Sequence, residues 1–176
     1  METEKLVKKA QKGDGEAFIT LVKQYENVLY KVASRLLNND EDAADAIQES
    51  ILLAYKNINK LKNPDYFNSW ICKILINKCN AILNKNSKII LVENVIAEKH
   101  HKNEYSKIEL EEALNTLNND YKTAILLYYI VGLNTKEISE LVKEPEGTIK
   151  SRISRAKAIL REGYFSDEGE ILYGRK

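Results

Sequence analysis

Between Thr148 and Arg161 the chain carries Lys150, Arg152, Arg155, Lys157 and Arg161 with no acid, in a protein whose formal net charge is only +1. Cations gathered this way attract phosphate, and arginine in addition reads base edges with its planar fork. Their spacing adds direction. At about 100° per residue, Ile149, Ile153, Ala156 and Leu160 form one narrow apolar stripe, which must face a core. Gly147, Ser151, Ser154 and Arg155 project from the opposite side, flanked by Thr148, Lys150, Arg152 and Arg161. A solvated basic face on an ordinary helical hairpin has the same periodicity. DNA is favoured because the charge is uncompensated and sits beside small residues that admit close approach.

The other chemistry-bearing stretch is acidic. Asp40, Glu41, Asp42, Asp45 and Glu49 cluster at the start of a predicted helix spanning Asn39 to Asn57. The helix dipole accounts for the first three, whereas Asp45, Gln48 and Glu49 lie too deep for that explanation. No nucleophile, base and orienting group come together anywhere, so an enzyme is not expected. His100 and His101 have no matching Cys or carboxylate spacing and predict no metal site. No cofactor or small-molecule substrate is implied.

The elements that position these residues are helices. Glycine and proline are scarce, and helical apolar periodicity recurs along most of the chain, so the fold class is all-α. Upstream of the basic stretch, Thr135 to Val142 predicts a short helix capped by Thr135, and Lys143-Glu144-Pro145 breaks the chain before the next one. The pair has the pattern of a helix-turn-helix whose second member enters the major groove. Further back, Leu6, Val7 and Ala10, then Phe18 to Leu37, give a helix pair broken at Gly13-Asp14-Gly15. Asn59 to Tyr66 reads as a loop, and the helix after it buries Trp70, Ile71, Ile74 and Leu75 while Lys73, Asn77 and Asn80 lie on its polar side. Trp70 falls on the apolar stripe and is assigned to the core. Cys72 and Cys79 share that helix roughly 10 Å apart along its axis, too far for a disulfide. From 87 to 106 the pattern loosens into a flexible linker, and about 20 extended residues reach roughly 65 Å. Two more helices between Glu109 and Val131 scaffold the basic one, with Gly132 as the stop. No apolar run is long enough to cross a bilayer, and the expected location is the cytoplasm.

The same residues carry a resemblance. LNTKEISELVKEPEGTIKSRISRAKAIL resembles the promoter-reading C-terminal domain of bacterial sigma factors of the sigma-70 family, most closely the extracytoplasmic-function group, at Glu137, Ile138, Pro145, Gly147 to Arg152, Arg155 and Ala156. Lys143 stands where that family usually has the glycine of the turn, and because a lysine with positive φ costs about 1 kcal/mol a locally different turn is expected here. Asp42, Ala43, Asp45, Gln48 and Glu49 match the segment by which the family docks on the coiled coil of the largest RNA polymerase subunit, a pairing that carboxylates and Gln can make with Arg. The F-x-x-W-[LI]-x-x-I pattern at Phe67 to Ile74 is similar too, although Ile76 occupies an often basic position.

The resemblance implies an alternative sigma factor with core RNA polymerase and promoter DNA as partners, and an anti-sigma factor, often membrane-bound, that holds it until an envelope stress. It implies domains at 1–86, for polymerase docking and minus-10 recognition, and at 107–165, for minus-35 recognition, with a tail at 166–176. Lys62, Asn63, Asp65 and Tyr66 would trap a flipped minus-10 base, with Lys73, Asn77 and Asn80 on the backbone. Lys150, Ser151, Ser154 and Arg155 would read the minus-35 element while Thr148 and Arg152 grip phosphate. The alternative is a stand-alone helix-turn-helix regulator, which leaves the acidic helix and the F-x-x-W segment unexplained.

Overall fold

Polar residues at the breaks in the apolar pattern start the helices. Asp14 accepts from the Ala17 amide at 3.0 Å and opens α2 (Gly15–Leu37), which follows α1 (Glu2–Gln11). Asn39 accepts from the Asp42 amide at 2.9 Å and opens α3 (Asp40–Asn57). After two 3-10 turns comes α4 (Phe67–Ile90), and then α5 (Tyr105–Asn115). Asn118 accepts from the Tyr121 amide at 2.9 Å to open α6 (Asn119–Tyr129). The cap of α7 (Thr135–Val142) is Asn134, not Thr135: Asn134 accepts from the Glu137 amide at 3.0 Å, and the Glu137 carboxylate accepts the Asn134 amide at 2.8 Å. Each such cap satisfies amides the helix leaves orphaned and is worth about 1 kcal/mol. The long α8 is Glu146–Tyr173.

This computed structural model describes the backbone of residues 2–90 and 105–173, and side chains within 2–86 and 110–162. Among the described residues the secondary structure is helical, with no strand. Residues 91–104 of the expected linker, with His100 and His101, lie outside the described residues. The backbone of the expected tail is helical through Tyr173, and its side chains also lie outside them. No helix among the described residues is long and apolar enough to cross a membrane.

The N-terminal half is a bundle in which Leu21, Leu29, Val32 and Leu36 of α2 meet Phe67, Ile71 and Leu75 of α4, all nearly or fully buried. Burying each of these larger side chains contributes about 1.5–3 kcal/mol. The inward side of α3 is small: Ala43, Ala46, Ser50 and Ala54 are buried, so its backbone lies close against α2 and α4. Ser50 satisfies its hydroxyl by donating to the Ala46 carbonyl at 2.6 Å. Cys72 and Cys79 are free, buried thiols, as expected. Trp70 is half-buried, its ring 5.9 Å from that of Phe67.

In the C-terminal half Leu126, Leu127, Ile138 and Ile149 make the core where α6, α7 and α8 meet. The two halves touch. α2 contacts α6 and α4 contacts α7, and the Asn68 side-chain amide donates to the Val131 carbonyl at 3.2 Å.

Candidate nucleic-acid interface and docking face

The turn between α7 and α8 is made by Lys143, which takes the left-handed conformation at φ 61° and donates its amide to the Ser139 carbonyl. The lysine in place of glycine predicted a locally different turn; instead Lys143 adopts the left-handed geometry despite its Cβ. Ser139 reinforces the turn by donating its hydroxyl to the Glu144 carbonyl at 2.6 Å. The Pro145 carbonyl then accepts the Thr148 amide at 2.9 Å as α8 begins. Ile149, Ile153 and Ala156 are buried, so the stripe found in the sequence does seat α8 on the core.

The opposite face is open. Lys150, Ser151, Ser154 and Arg155 are exposed and Thr148 is half-buried. Neither serine makes a side-chain bond among the described residues, which leaves both hydroxyls available. Lys150 pairs with Glu146 at 2.9 Å, one helical turn back. That ammonium, with the Thr135 hydroxyl 2.7 Å away, holds the Glu146 carboxyl below its ordinary range. An open groove of about 450 Å³ runs beside this face between α6 and α8, lined by Tyr128, Tyr129, Lys150, Ser154 and Lys157.

Arg152 departs from the rest. Its side chain is only 18% exposed, and its guanidinium donates to Asp120 at 3.0 Å and Glu144 at 3.4 Å. It ties α8 to the first turn of α6 and to the α7–α8 turn. Arg155 donates to the Tyr121 hydroxyl at 3.4 Å, which raises its pKa above the ordinary arginine value. Sequence reasoning missed Asp120, Tyr121 and Glu144, whose roles depend on long-range contacts. The Glu146–Lys150 pair, at i,i+4, was legible in principle.

On the other half, Asp45, Gln48 and Glu49 lie on the exposed face of α3, and Asp42 at its start is half-buried. Asp42 accepts from the Asn86 side-chain amide at 3.3 Å, and Glu49 pairs with Lys78 of α4 at 2.6 Å. Asp45 and Gln48 have no side-chain partner among the described residues. The face therefore presents an unpaired carboxylate and amide, suited to an arginine-bearing partner.

Lys62, Asn63, Asp65 and Tyr66 are all exposed on the segment between α3 and α4. Asn63 spends its side-chain oxygen capping a 3-10 turn, accepting from the Asp65 amide at 3.0 Å, while Tyr66 is 53% exposed and open to stacking. Along α4, Asn77 is exposed and Lys73 and Asn80 are half-buried. Ile76 is buried.

Two family models match the chain: sigma-70 region 2 over residues 21–89 and sigma-70 region 4 over residues 107–160. It is 32% identical over 146 residues to the RNA polymerase sigma factor SigV of Bacillus subtilis, covering 81% of this chain and 88% of that one. With the extracytoplasmic-function RNA polymerase sigma-E factor of Haemophilus influenzae it shares 30% identity over 173 residues, 88% of this chain and 91% of the relative. Among solved structures it resembles the sigma factor RpoE of Bartonella quintana, crystallised with the anti-sigma factor NepR. The TM-score there is 0.76 at 23% identity, covering 85% of this chain and 98% of that one, a likeness of fold.

Proposed function

Since the chain belongs to the sigma-70 family of RNA polymerase sigma factors, in its extracytoplasmic-function group, we propose that its two charged faces divide promoter recognition between them. The observation that carries this reading is the presence of two outward faces of opposite sign on separate helices: Asp45, Gln48 and Glu49 on α3, and Lys150, Ser151, Ser154 and Arg155 on α8. The acidic face, with Asp42 at its edge, docks on core RNA polymerase. There Asp45 and Gln48 meet arginine directly, while Glu49 exchanges Lys78 for a partner cation.

The domains follow as 1–86 for docking and minus-10 recognition, 107–165 for minus-35 recognition, 87–106 as the connection and 166–176 as the tail. Lys62, Asn63, Asp65 and Tyr66 form the rim that captures an unstacked minus-10 base. Tyr66 offers a stacking surface, Lys62 a cation, and Lys73, Asn77 and Asn80 contacts to the strand's backbone. In the major groove Arg155 and Lys150 suit guanine edges and Ser151 and Ser154 suit small or polar edges, with Thr148 on phosphate. Arg152 reaches phosphate by giving up its longer bond, that to Glu144. No catalytic group is assigned, and the protein acts in the cytoplasm where polymerase does. An anti-sigma factor, of the kind crystallised with the Bartonella relative, covers these faces until an envelope stress releases them.

Reconstituted transcription tests the reading. The protein added to core polymerase on genome fragments should give discrete, new start sites. Tight, polymerase-independent binding to one duplex, without new start sites, would instead make it a stand-alone regulator.

A further inference from the structure

Two neighbouring residues at the start of α6 each hold an arginine of α8. Asp120 accepts from Arg152 at 3.0 Å, and the Tyr121 hydroxyl accepts from Arg155 at 3.4 Å. The two arginines lie three apart and so point in similar directions from the reading helix. The turn that presents the acceptors is itself fixed. Asn118 caps it through the Tyr121 amide at 2.9 Å, and the next side chain, Lys122, is buried with its ammonium on the Asn115 side chain at 2.8 Å. Tyr121 is half-buried against the core, so its ring has little freedom to follow a mobile guanidinium.

We propose that Tyr121 is a specificity-determining positioning residue: its hydroxyl sets the direction of the Arg155 guanidinium before DNA arrives, and so fixes which base pair Arg155 prefers. This rests on the reading of α8 as the minus-35 helix. A free arginine samples many rotamers, and its planar fork reads guanine only when both N–H groups line up with O6 and N7. A hydroxyl anchored to the core removes part of that freedom in advance. Asp120 and Glu144 do the same for Arg152, which locks the angle of α8 against α6. Arg155 thus starts from a fixed helix and a fixed pivot.

The test is selection of duplexes randomised across the minus-35 region by holoenzyme reconstituted with core polymerase, using wild type, Tyr121→Phe, Arg155→Ala and the double variant. Phenylalanine keeps the packing and removes only the hydroxyl. Tyr121→Phe should weaken preference about two- to tenfold, at the same base pair whose preference Arg155→Ala abolishes, and leave other positions and the salt dependence alone. The double variant should be no worse than Arg155→Ala. A uniform loss on all sequences with a shallower salt dependence would place the Tyr121 hydroxyl on phosphate and overturn the proposal, as would an unchanged profile. If Arg155→Ala itself leaves every preference intact, the reading of α8 fails. Nuclear magnetic relaxation of the Arg155 side-chain nitrogen in the free protein gives an independent check. It should report an ordered guanidinium in wild type and a mobile one in Tyr121→Phe, and equal mobility in both would refute the anchoring.

Discussion

Replacing Arg152 with alanine separates two roles that one residue could fill. The Arg152 side chain is 18% exposed and its guanidinium is bonded to Asp120 at 3.0 Å and Glu144 at 3.4 Å, so its loss leaves two carboxylates without the cation they share. A charge-assisted bond to a mostly buried group contributes up to about 3 kcal/mol, but an exposed pair contributes at most about 1. Asp120 is 65% and Glu144 40% exposed, so the partners stay hydrated and the value is discounted. The net is about 1–2 kcal/mol of folding stability, a fall of roughly 5–10 °C in melting temperature for a domain of this size. Circular dichroism melts at low and high salt measure it. The difference between wild type and Arg152→Ala should shrink as salt screens the pairs. Asp120→Asn in the Arg152→Ala background should recover part of the loss by removing repulsion. An Arg152→Ala variant that melts like wild type and yet loses promoter binding with a shallower salt dependence would refute this stabilising role. That result would leave phosphate contact as the role of Arg152 and remove its ties to Asp120 and Glu144 from the stability of the fold.

Other consequences are open to measurement. Lys143→Gly relieves a left-handed lysine at φ 61°, and denaturant unfolding should show a gain of up to about 1 kcal/mol, offset in part by the entropy glycine adds to the unfolded chain. Asp45→Lys puts a cation on the docking face and should weaken binding to core polymerase at least about tenfold while the melt stays unchanged, because Asp45 has no side-chain partner among the described residues. Equal capture of core polymerase by that variant would remove Asp45 from the interface. Burial pushes the Cys72 and Cys79 thiols up from 9.0 to about 12, so near neutral pH both should resist alkylation until the protein is unfolded. The sign of their pH dependence follows. Above about pH 9 the unfolded chain gives up these protons while the folded one keeps them, so urea midpoints should fall as pH rises between about 9 and 12. Replacing both cysteines with alanine should flatten that slope.

Much of the architecture was legible because helices announce themselves locally. The stripe Ile149, Ile153, Ala156 determined both that α8 exists and which side it buries, and therefore which side carries Ser151, Ser154 and Arg155. The same logic located Asp45, Gln48 and Glu49, since a residue's angle around a helix follows from its number. Local signals were ambiguous only where neighbours compete for one job. Asn134 and Thr135 can both cap, and Asn134 prevails because Glu137 stands at the third helical position to complete the box.

What the chain's own periodicity determined, then, was which faces point outward; what tertiary structure decided was which outward-facing groups are free. Arg152 and Arg155 look alike in sequence, yet one is held by carboxylates at positions 120 and 144 and the other by a phenol at 121. Likewise Glu49 meets a lysine on another helix, while among the described residues Asp45 meets none. The physical reason is that a charge's availability depends on what lies within about 4 Å of it. Those neighbours come from segments far along the chain, brought close only when α6 packs on α8 and α3 on α4.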